Sequence, residues 1–305
     1  MSRLLSAGFA RLMKNRIFHI ALFFMIGLVI FEVALSIYDS RSRTDVVIAP
    51  IDVYLHEDML FLGFIAAIFI GLFIGVEYSD GTIRNKLMVG HTRAAVYASN
   101  LIVCVSAGII LHLVYLITLF GASLIFFREY FSSFLPGFLD LLRLQGIDCL
   151  IIVAYSSIFC LNSMTISSKA SGVVVSIIIA LVLLFGGIYV RMAVNAYYDE
   201  EVLAMAEDMI SDGDMSDETD QENVADNDAN LEAELVEYDG SELALTGARL
   251  KVYQCMDEFL PSCQVFHLPD WNLSEHVVHY LLYDGWIVIV TNVFGIWLFH
   301  KKDLK

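Results

Sequence analysis

The chain has 305 residues, of which 58% are hydrophobic, and its formal net charge at pH 7 is −17. This apolar content is higher than that of soluble domains and indicates an integral membrane protein. The negative charge is local, because residues 199–245 hold 18 Asp and Glu without Lys or Arg, whereas the rest of the chain has 18 basic and 17 acidic residues. That balance excludes a basic nucleic-acid-binding surface. The five cysteines include no Cys-x-x-Cys motif, so a zinc or redox site of that type is not indicated.

The residues before the first apolar run have an amphipathic pattern. Leu4, Leu5, Phe9, Leu12 and Met13 recur at helical spacing, with basic residues between them. This pattern predicts an interfacial helix on the cytoplasmic leaflet, although a basic flank without fixed structure has the same composition. The following apolar run is longer than a signal-peptide core and lacks a small-residue cleavage site, so we interpret it as a retained anchor.

Six apolar segments are long enough to cross a bilayer, since about 20 helical residues suffice. They are residues 17–38, 59–77, 95–127, 147–167, 171–190 and 279–299. The sequence therefore predicts an all-α polytopic membrane protein with six transmembrane helices. Its predicted parts are residues 1–190 with the interfacial helix and spans one to five, residues 191–278 as an acidic extracellular insertion, and residues 279–305 with span six and a basic tail.

The distribution of basic residues predicts the orientation of these spans. Counted on alternate sides, one side has 11 Lys and Arg and the other has 7. Basic residues favour the cytoplasmic side, so both termini are expected in the cytoplasm of a bacterial cell and the acidic segment outside. The fourth and fifth spans are separated only by Ser-Ser-Lys-Ala and are expected to form a tight helical hairpin.

Two features within the spans suggest specific roles. Glu32 is the one acidic residue well inside an apolar run, so it is a candidate for lining a substrate path, or it lies near the outer interface. The second span has small residues at every fourth position, which predicts a close helix-packing face, with a partner either in this chain or in a second subunit. These residues are Gly63, Ala67, Gly71 and Gly75. The in-span polar residues His112, Asn162 and Asn292 are expected to hydrogen-bond to neighbouring helices.

The external segment offers few chemical motifs. Its like charge and scarce aromatic residues predict disorder or weak helicity in the middle of the acidic run. Cys255 and Cys263 are candidates for a disulfide if this segment is extracellular. The ligand-type residues before the last span lack the order of a known metal motif, so no metal site is predicted. They are His267, Glu275, His276 and His279.

A polar, basic stretch joins the second and third spans. Asp80, Gly81 and Thr82 indicate a turn followed by a helix start, and Gly90 predicts a break before the third span. The basic residues Arg84, Lys86 and Arg93 are expected to face water, lipid phosphate or a soluble partner. An ordinary positive loop on the cytoplasmic side is the plainer alternative.

The run EYSDGTIRNKLMVGHTRAAVYASNLI resembles the loop after the second span in type-2 (ABC-2) permeases of ATP-binding cassette transporters, which are common in Firmicutes. The ending FGIWLFHKKDLK resembles the tail of the same permeases. The resemblance covers the transmembrane frame but not the acidic insertion. It implies that the loop is a coupling helix that docks on a separate ATPase. The positions it assigns to this role are Glu77, Asp80, Gly81, Thr82, Ile83, Arg84, Asn85, Lys86, Leu87, Gly90 and Arg93.

The resemblance also implies partners. The chain has no GxxxxGK[ST] loop, so ATP and Mg²⁺ are expected on a cytoplasmic ATPase subunit, with no cofactor and no catalysis in this chain. The implied assembly is a homodimer or heterodimer of permeases in membrane lipid, with no nucleic acid. The family favours export of antimicrobial peptides or amphipathic compounds, and the acidic outer segment suggests a cationic substrate. The alternative is a non-transporting membrane sensor or assembly protein that uses its acidic external domain.

Overall fold

A computed structural model describes residues 1–42, 54–127, 138–166, 168–212, 248–267 and 277–302. These residues form ten helices and no strand, which confirms the predicted all-α class. The helices are α1 Ser2–Met13, α2 Arg16–Ser42, α3 Asp58–Ser79, α4 Thr82–Met88, α5 Arg93–Phe126, α6 Phe138–Thr165, α7 Lys169–Asp212, α8 Ala248–Phe259, α9 Pro261–His267 and α10 Val277–Lys301.

The six predicted spans are confirmed in number and order. Six helical segments within the described residues are long and apolar enough to cross a membrane. They are Arg16–Asp39, Asp58–Ser79, Arg93–Phe126, Leu141–Thr165, Lys169–Tyr198 and Val278–Lys301. The fourth span begins at Leu141 rather than at residue 147, because the less apolar turn before the hydrophobic run continues the same helix.

The fifth span continues as a helix into the acidic run. α7 ends at Asp212, so residues 199–212, at the start of the acidic run, are helical. The reason is local composition, because Glu, Ala, Leu and Met in this part of the run are strong helix formers. The disorder or weak helicity predicted for the middle of the run is not tested, because residues 213–247 lie outside the described residues.

The chain forms two compact units. One consists of Met1–Gly186 with Glu258–Lys305, and the other of Gly187–Asp257. Inside the second unit, Arg191 Nη1 lies 3.4 Å from Asp257 Oδ2, and the rings of Tyr189 and Tyr253 are 6.2 Å apart between centroids. These contacts hold α7 at residues 189–191 against α8.

The core of the first unit is built around α5 and α6. α6 packs against α3, α5 and α10, and α5 also contacts α1 and α2. Large side chains fill this core, including the fully buried Tyr97, Tyr115 and Phe159. By contrast, α7 and α10 expose apolar side chains such as Phe185 and Trp286, which are 63% and 62% exposed. In a membrane, such faces contact lipid or another subunit.

The small-residue stripe of α3 packs against the start of α7, the second helix of the α6–α7 hairpin. Asn162 Nδ2 donates to Ser176 Oγ at 2.7 Å, which ties the end of α6 to the start of α7. A Cβ added at Gly75 would lie 3.0 Å from Lys169 Cα, and one at Gly71 would lie 3.1 Å from Val173 Cα. The two helix backbones are therefore in direct contact.

The rest of the stripe has the same packing role. A Cβ at Gly63 would lie 3.1 Å from the Tyr155 ring of α6, and Ala67 is fully buried. The neighbours of all three stripe glycines thus belong to this chain. The polar residue Asn292 of α10 also follows expectation, since its Nδ2 donates to Ser157 Oγ of α6 at 3.1 Å.

All five cysteines are free thiols in the structure. Cys255 on α8 is exposed, and Cys263 on α9 is buried. The Cys255–Cys263 disulfide is not formed here, and it stays a prediction.

Candidate coupling site

The short helix α4 connects the second and third spans, α3 and α5. Gly81 has φ +65° and ψ +13°, a left-handed conformation that turns the chain sharply from α3 into α4. Gly90, at φ +97°, ends the segment on the other side. Thr92 then caps α5, because its Oγ1 accepts a hydrogen bond from the Ala95 amide at 3.2 Å. The turn, short helix and break predicted from the sequence are all present.

One buried carboxylate connects α4 to three other helices. Glu77, near the end of α3, is 2% exposed. Its Oε1 lies 2.5 Å from Arg11 Nη1 of α1 and also contacts Lys86 Nζ of α4. Its Oε2 accepts from Asn100 Nδ2 of α5 at 2.6 Å. We refer to Glu77, Arg11, Lys86 and Asn100 as the Glu77 cluster.

The charges of this cluster depend on one another. Burial lowers the pKa of the Arg11 guanidinium, and the neighbouring Glu77 carboxylate opposes that shift. Arg11 also lies over the Phe73 ring, with Cζ 3.7 Å from the ring centroid, which is a cation–π contact. Two cations thus share one buried anion. Loss of the anion would leave both cations poorly compensated.

Arg93 makes contacts within the chain that the sequence did not predict. Its Nη1 lies 2.9 Å from the carbonyl oxygens of Phe299 and His300 and 2.5 Å from that of Lys302. These carbonyls belong to the end of α10, where backbone acceptors lack helical partners. The Arg93 guanidinium thus fixes the end of the last span, and its predicted role in coupling stays a prediction.

The basic tail continues this internal network. Lys302 Nζ lies 2.9 Å from the Met164 carbonyl oxygen and 3.1 Å from Tyr78 Oη. Burial lowers the pKa of Lys302 to about 8. The tail thereby ties the ends of α3 and α6 to the end of α10.

The exposed part of α4 is small and mixed in character. Arg84 and Asn85 are exposed, and next to them Met88 is 69% and Val89 is 79% exposed. We call these four residues the α4 tip. Asp80 is also exposed, whereas Ile83 is buried like Glu77. Only part of the predicted coupling set is therefore available to a partner, and the rest holds the helix in place.

Glu32 lies away from this site. It is 5% exposed, and its Oε2 accepts a hydrogen bond from Tyr115 Oη of α5 at 2.8 Å. This hydrogen bond places the Glu32 side chain between its own helix, α2, and α5. Its role in a substrate path stays a prediction.

The architecture is that of a multi-pass membrane protein. Its short helix α4 connects the second and third spans and is fixed to the neighbouring helices through Glu77. A family model described as ABC-2 family transporter protein matches residues 4–187. The match covers more than half of the chain, and the chain belongs to this family. It is thus an ABC-2 type permease, a membrane transport subunit that is not itself an enzyme. No curated protein and no solved structure gives a significant match.

The matched region contains α1 from Leu4 onward, α2 to α6 and α7 as far as Gly187. It therefore includes every member of the Glu77 cluster and the α4 tip. Sequence reasoning had identified Glu77 and Lys86 but not Arg11 or Asn100 as members of one site. Family membership also implies an ABC transporter with an ATPase partner.

Proposed function

We propose that this chain is the permease subunit of an exporter that is driven by a separate cytoplasmic ATPase docked on the α4 tip. One observation carries the proposal: the α4 tip is exposed, while Lys86 of the same short helix contacts Glu77 of α3, which also binds Arg11 of α1 and Asn100 of α5. Apolar Met88 and Val89 beside basic Arg84 suit a groove with an acidic rim.

The Glu77 cluster connects the α4 tip to α1, α3 and α5. A seven-residue helix between two tight turns moves as a rigid body when a docked subunit moves. The contacts of Lys86 and Asn100 with Glu77 would pass that movement to α3 and α5, and the contact of Arg11 would pass it to α1. ATP-driven closure of the ATPases would thus tilt several spans together and open a path between permeases.

We propose the orientation of the chain from the distribution of its basic residues, and its neighbours in the membrane from the exposed apolar faces. α4 and both termini lie in the cytoplasm of a bacterial cell, the acidic segment lies outside, and ATP and Mg²⁺ bind to the partner. The apolar faces of α7 and α10 contact lipid and the second permease of a homodimer or heterodimer.

Charge reversal at the α4 tip tests the docking step. The double variant Arg84→Glu, Val89→Asp is expected to weaken ATPase binding at least about tenfold, because it opposes the rim charge and places a carboxylate on the apolar contact. The measurement is the amount of an ATPase with a GxxxxGK[ST] loop that co-purifies with the tagged chain, followed by titration of the two purified subunits.

Lys14→Glu is the matched control, because Lys14 is an exposed basic residue at the end of α1 outside the α4 tip. It is expected to leave ATPase binding unchanged. Equal binding by the double variant and the control would remove α4 from the docking surface.

The substrate is proposed from charge. The 18 acidic residues of segment 199–245 would concentrate a cationic amphipathic compound, such as an antimicrobial peptide, near the outer mouth of the path. Deletion of residues 205–240 is expected to reduce export of cationic peptides and to leave that of a neutral amphipathic compound unchanged. The comparison is made in cells at low and high salt, and unchanged export of the cationic peptide at low salt would contradict the proposal.

A further inference from the structure

A second buried polar cluster lies at the opposite end of α3 from Glu77. α3 begins at Asp58, which is about 28 Å from Glu77 at 1.5 Å per residue. Asp58 and Asp148 are fully buried, and the side chains of His112 and His56 are 2% and 6% exposed. With Gln145 these residues form what we call the His112 cluster, which joins α3, α5 and α6.

Both ring nitrogens of His112 face acceptors. Nδ1 lies 2.7 Å from Asp58 Oδ2, and Nε2 lies 2.9 Å from Gln145 Oε1. The orientation of the Gln145 amide is fixed by its other contact, because its Nε2 donates to Asp148 Oδ2 at 3.0 Å. A flipped amide would place its oxygen against that carboxylate oxygen and its NH₂ against His112.

This geometry sets the number of protons on His112. A neutral imidazole has one N–H and one lone pair, so it can donate to only one of two acceptors. A protonated Asp58 could donate to Nδ1, but with Asp58 ionised as a carboxylate, both contacts are satisfied only when the ring carries two protons as an imidazolium. The cation is then compensated by Asp58 and also by Asp148, whose Oδ2 lies 3.8 Å from Nε2.

His56 provides an internal contrast. Its Nδ1 lies 2.9 Å from Asp148 Oδ2, whereas its Nε2 is buried without a hydrogen-bond partner. One N–H therefore satisfies the contacts of His56. Within the described part of the chain, the other titratable groups near this end include Glu32 of α2 and Tyr115 of α5, which contact each other, Tyr54 and Glu57 before α3, and Cys149 beside Asp148.

We propose that His112 is a proton-binding site, and that its bound proton locks α5 to α3 and α6 at the end of the bundle opposite α4. Loss of the proton places two lone pairs against each other at one of the contacts. It also leaves the buried carboxylates of Asp58 and Asp148 without their shared cation, which is costly in a low-dielectric interior. The lock is therefore present at low pH and is released as rising pH removes the proton.

The site has a consequence for transport, and this consequence rests on the proposed function. α3 and α5 contact each other at both ends, through Glu77 and Asn100 near α4 and through Asp58 and His112 at the other end. In the proposed orientation, the His112 end faces the exterior. The pH outside the cell would then bias the opening of the path at that side.

The protonation state of His112 is measured directly by solid-state NMR on the full chain with ¹⁵N-labelled histidine. The protein is reconstituted in vesicles of phosphatidylglycerol and phosphatidylethanolamine at pH 7.5, and His112→Gln and His56→Gln assign the two signals. We expect two protonated ring nitrogens for His112 and one for His56. A neutral His112 at pH 7.5 would overturn the proposal.

Asp58→Asn provides a second variant if His112→Gln does not fold. It retains the shape of the site but removes the principal anion, and we expect the imidazolium signals of the wild-type protein to be replaced by neutral ones. Persistence of two protonated nitrogens in this variant would contradict the assigned geometry. Neither measurement involves the ATPase, so its outcome is independent of whether α4 is the docking element.

Discussion

Replacing Glu77 with Gln is expected to destabilise the membrane domain by about 3 kcal/mol, the lower end of the range for breaking a buried ion pair. The lower end applies because Lys86 and Arg11 keep 18% and 29% of their side-chain exposure, so water compensates part of their charge. Gln retains the shape of the Glu77 side chain and an oxygen that accepts from Asn100. The loss of stability is therefore due to removal of the negative charge. The measurement is the unfolding midpoint of the purified chain in detergent.

The matched control for this variant is Asp80→Asn. Asp80 is an exposed carboxylate three residues farther along the chain, and removal of its charge is expected to change stability by less than about 0.5 kcal/mol. A second control, Lys86→Met in the Glu77→Gln background, is expected to recover part of the loss because it removes one uncompensated cation. Equal midpoints for Glu77→Gln and Asp80→Asn would show that the Glu77 cluster does not support the fold.

Replacing Gly75 with Leu is expected to separate α3 from α7. The Cβ of any larger residue would lie 3.0 Å from the Lys169 Cα, and a backbone atom cannot move aside as a side-chain rotamer does. Overpacking of this kind costs about 1–3 kcal/mol, and we expect the upper end because two helix backbones must shift. The unfolding midpoint and the rate of proteolysis between α6 and α7 measure the effect.

Gly27→Leu is the control for this steric argument. Gly27 lies in the first span, and a Cβ there meets nothing within 4 Å. Its replacement is expected to leave the midpoint near that of the wild-type protein, and Gly75→Ala should fall between the two Leu variants. A Gly75→Leu protein as stable as Gly27→Leu would contradict the close approach of α3 and α7.

The membrane frame was predictable from the sequence because the length of an apolar run determines whether a helix can span a bilayer. The spacing of Gly71 and Gly75 likewise predicted a packing face, since residues four positions apart share one side of a helix. Gly81 and Gly90 bounded α4 correctly because their conformations favour glycine. These features are local, so no knowledge of the tertiary arrangement was required.

The polar clusters were less predictable because they join residues that are far apart in the chain. Arg11 meets Glu77 only through the position of α1 against α5, and no local pattern distinguishes it from Arg3 or Lys14. Similarly, His112 was expected to bond to a neighbouring helix, but Asp58 and Asp148 could not be identified as its partners. The rotation and depth of each span decide such contacts, and hydrophobicity does not specify either of them.

The direct test of the account is an ATP-dependent distance measurement across the first unit. Spin labels are placed at Lys14, at the end of α1, and at Leu124, near the far end of α5, both of which are exposed. With the ATPase bound, ATP and vanadate are expected to shift the distance in the wild-type permease but not in Glu77→Gln, although the ATPase remains attached. The same shift in both proteins would contradict transmission of the ATPase movement through Glu77.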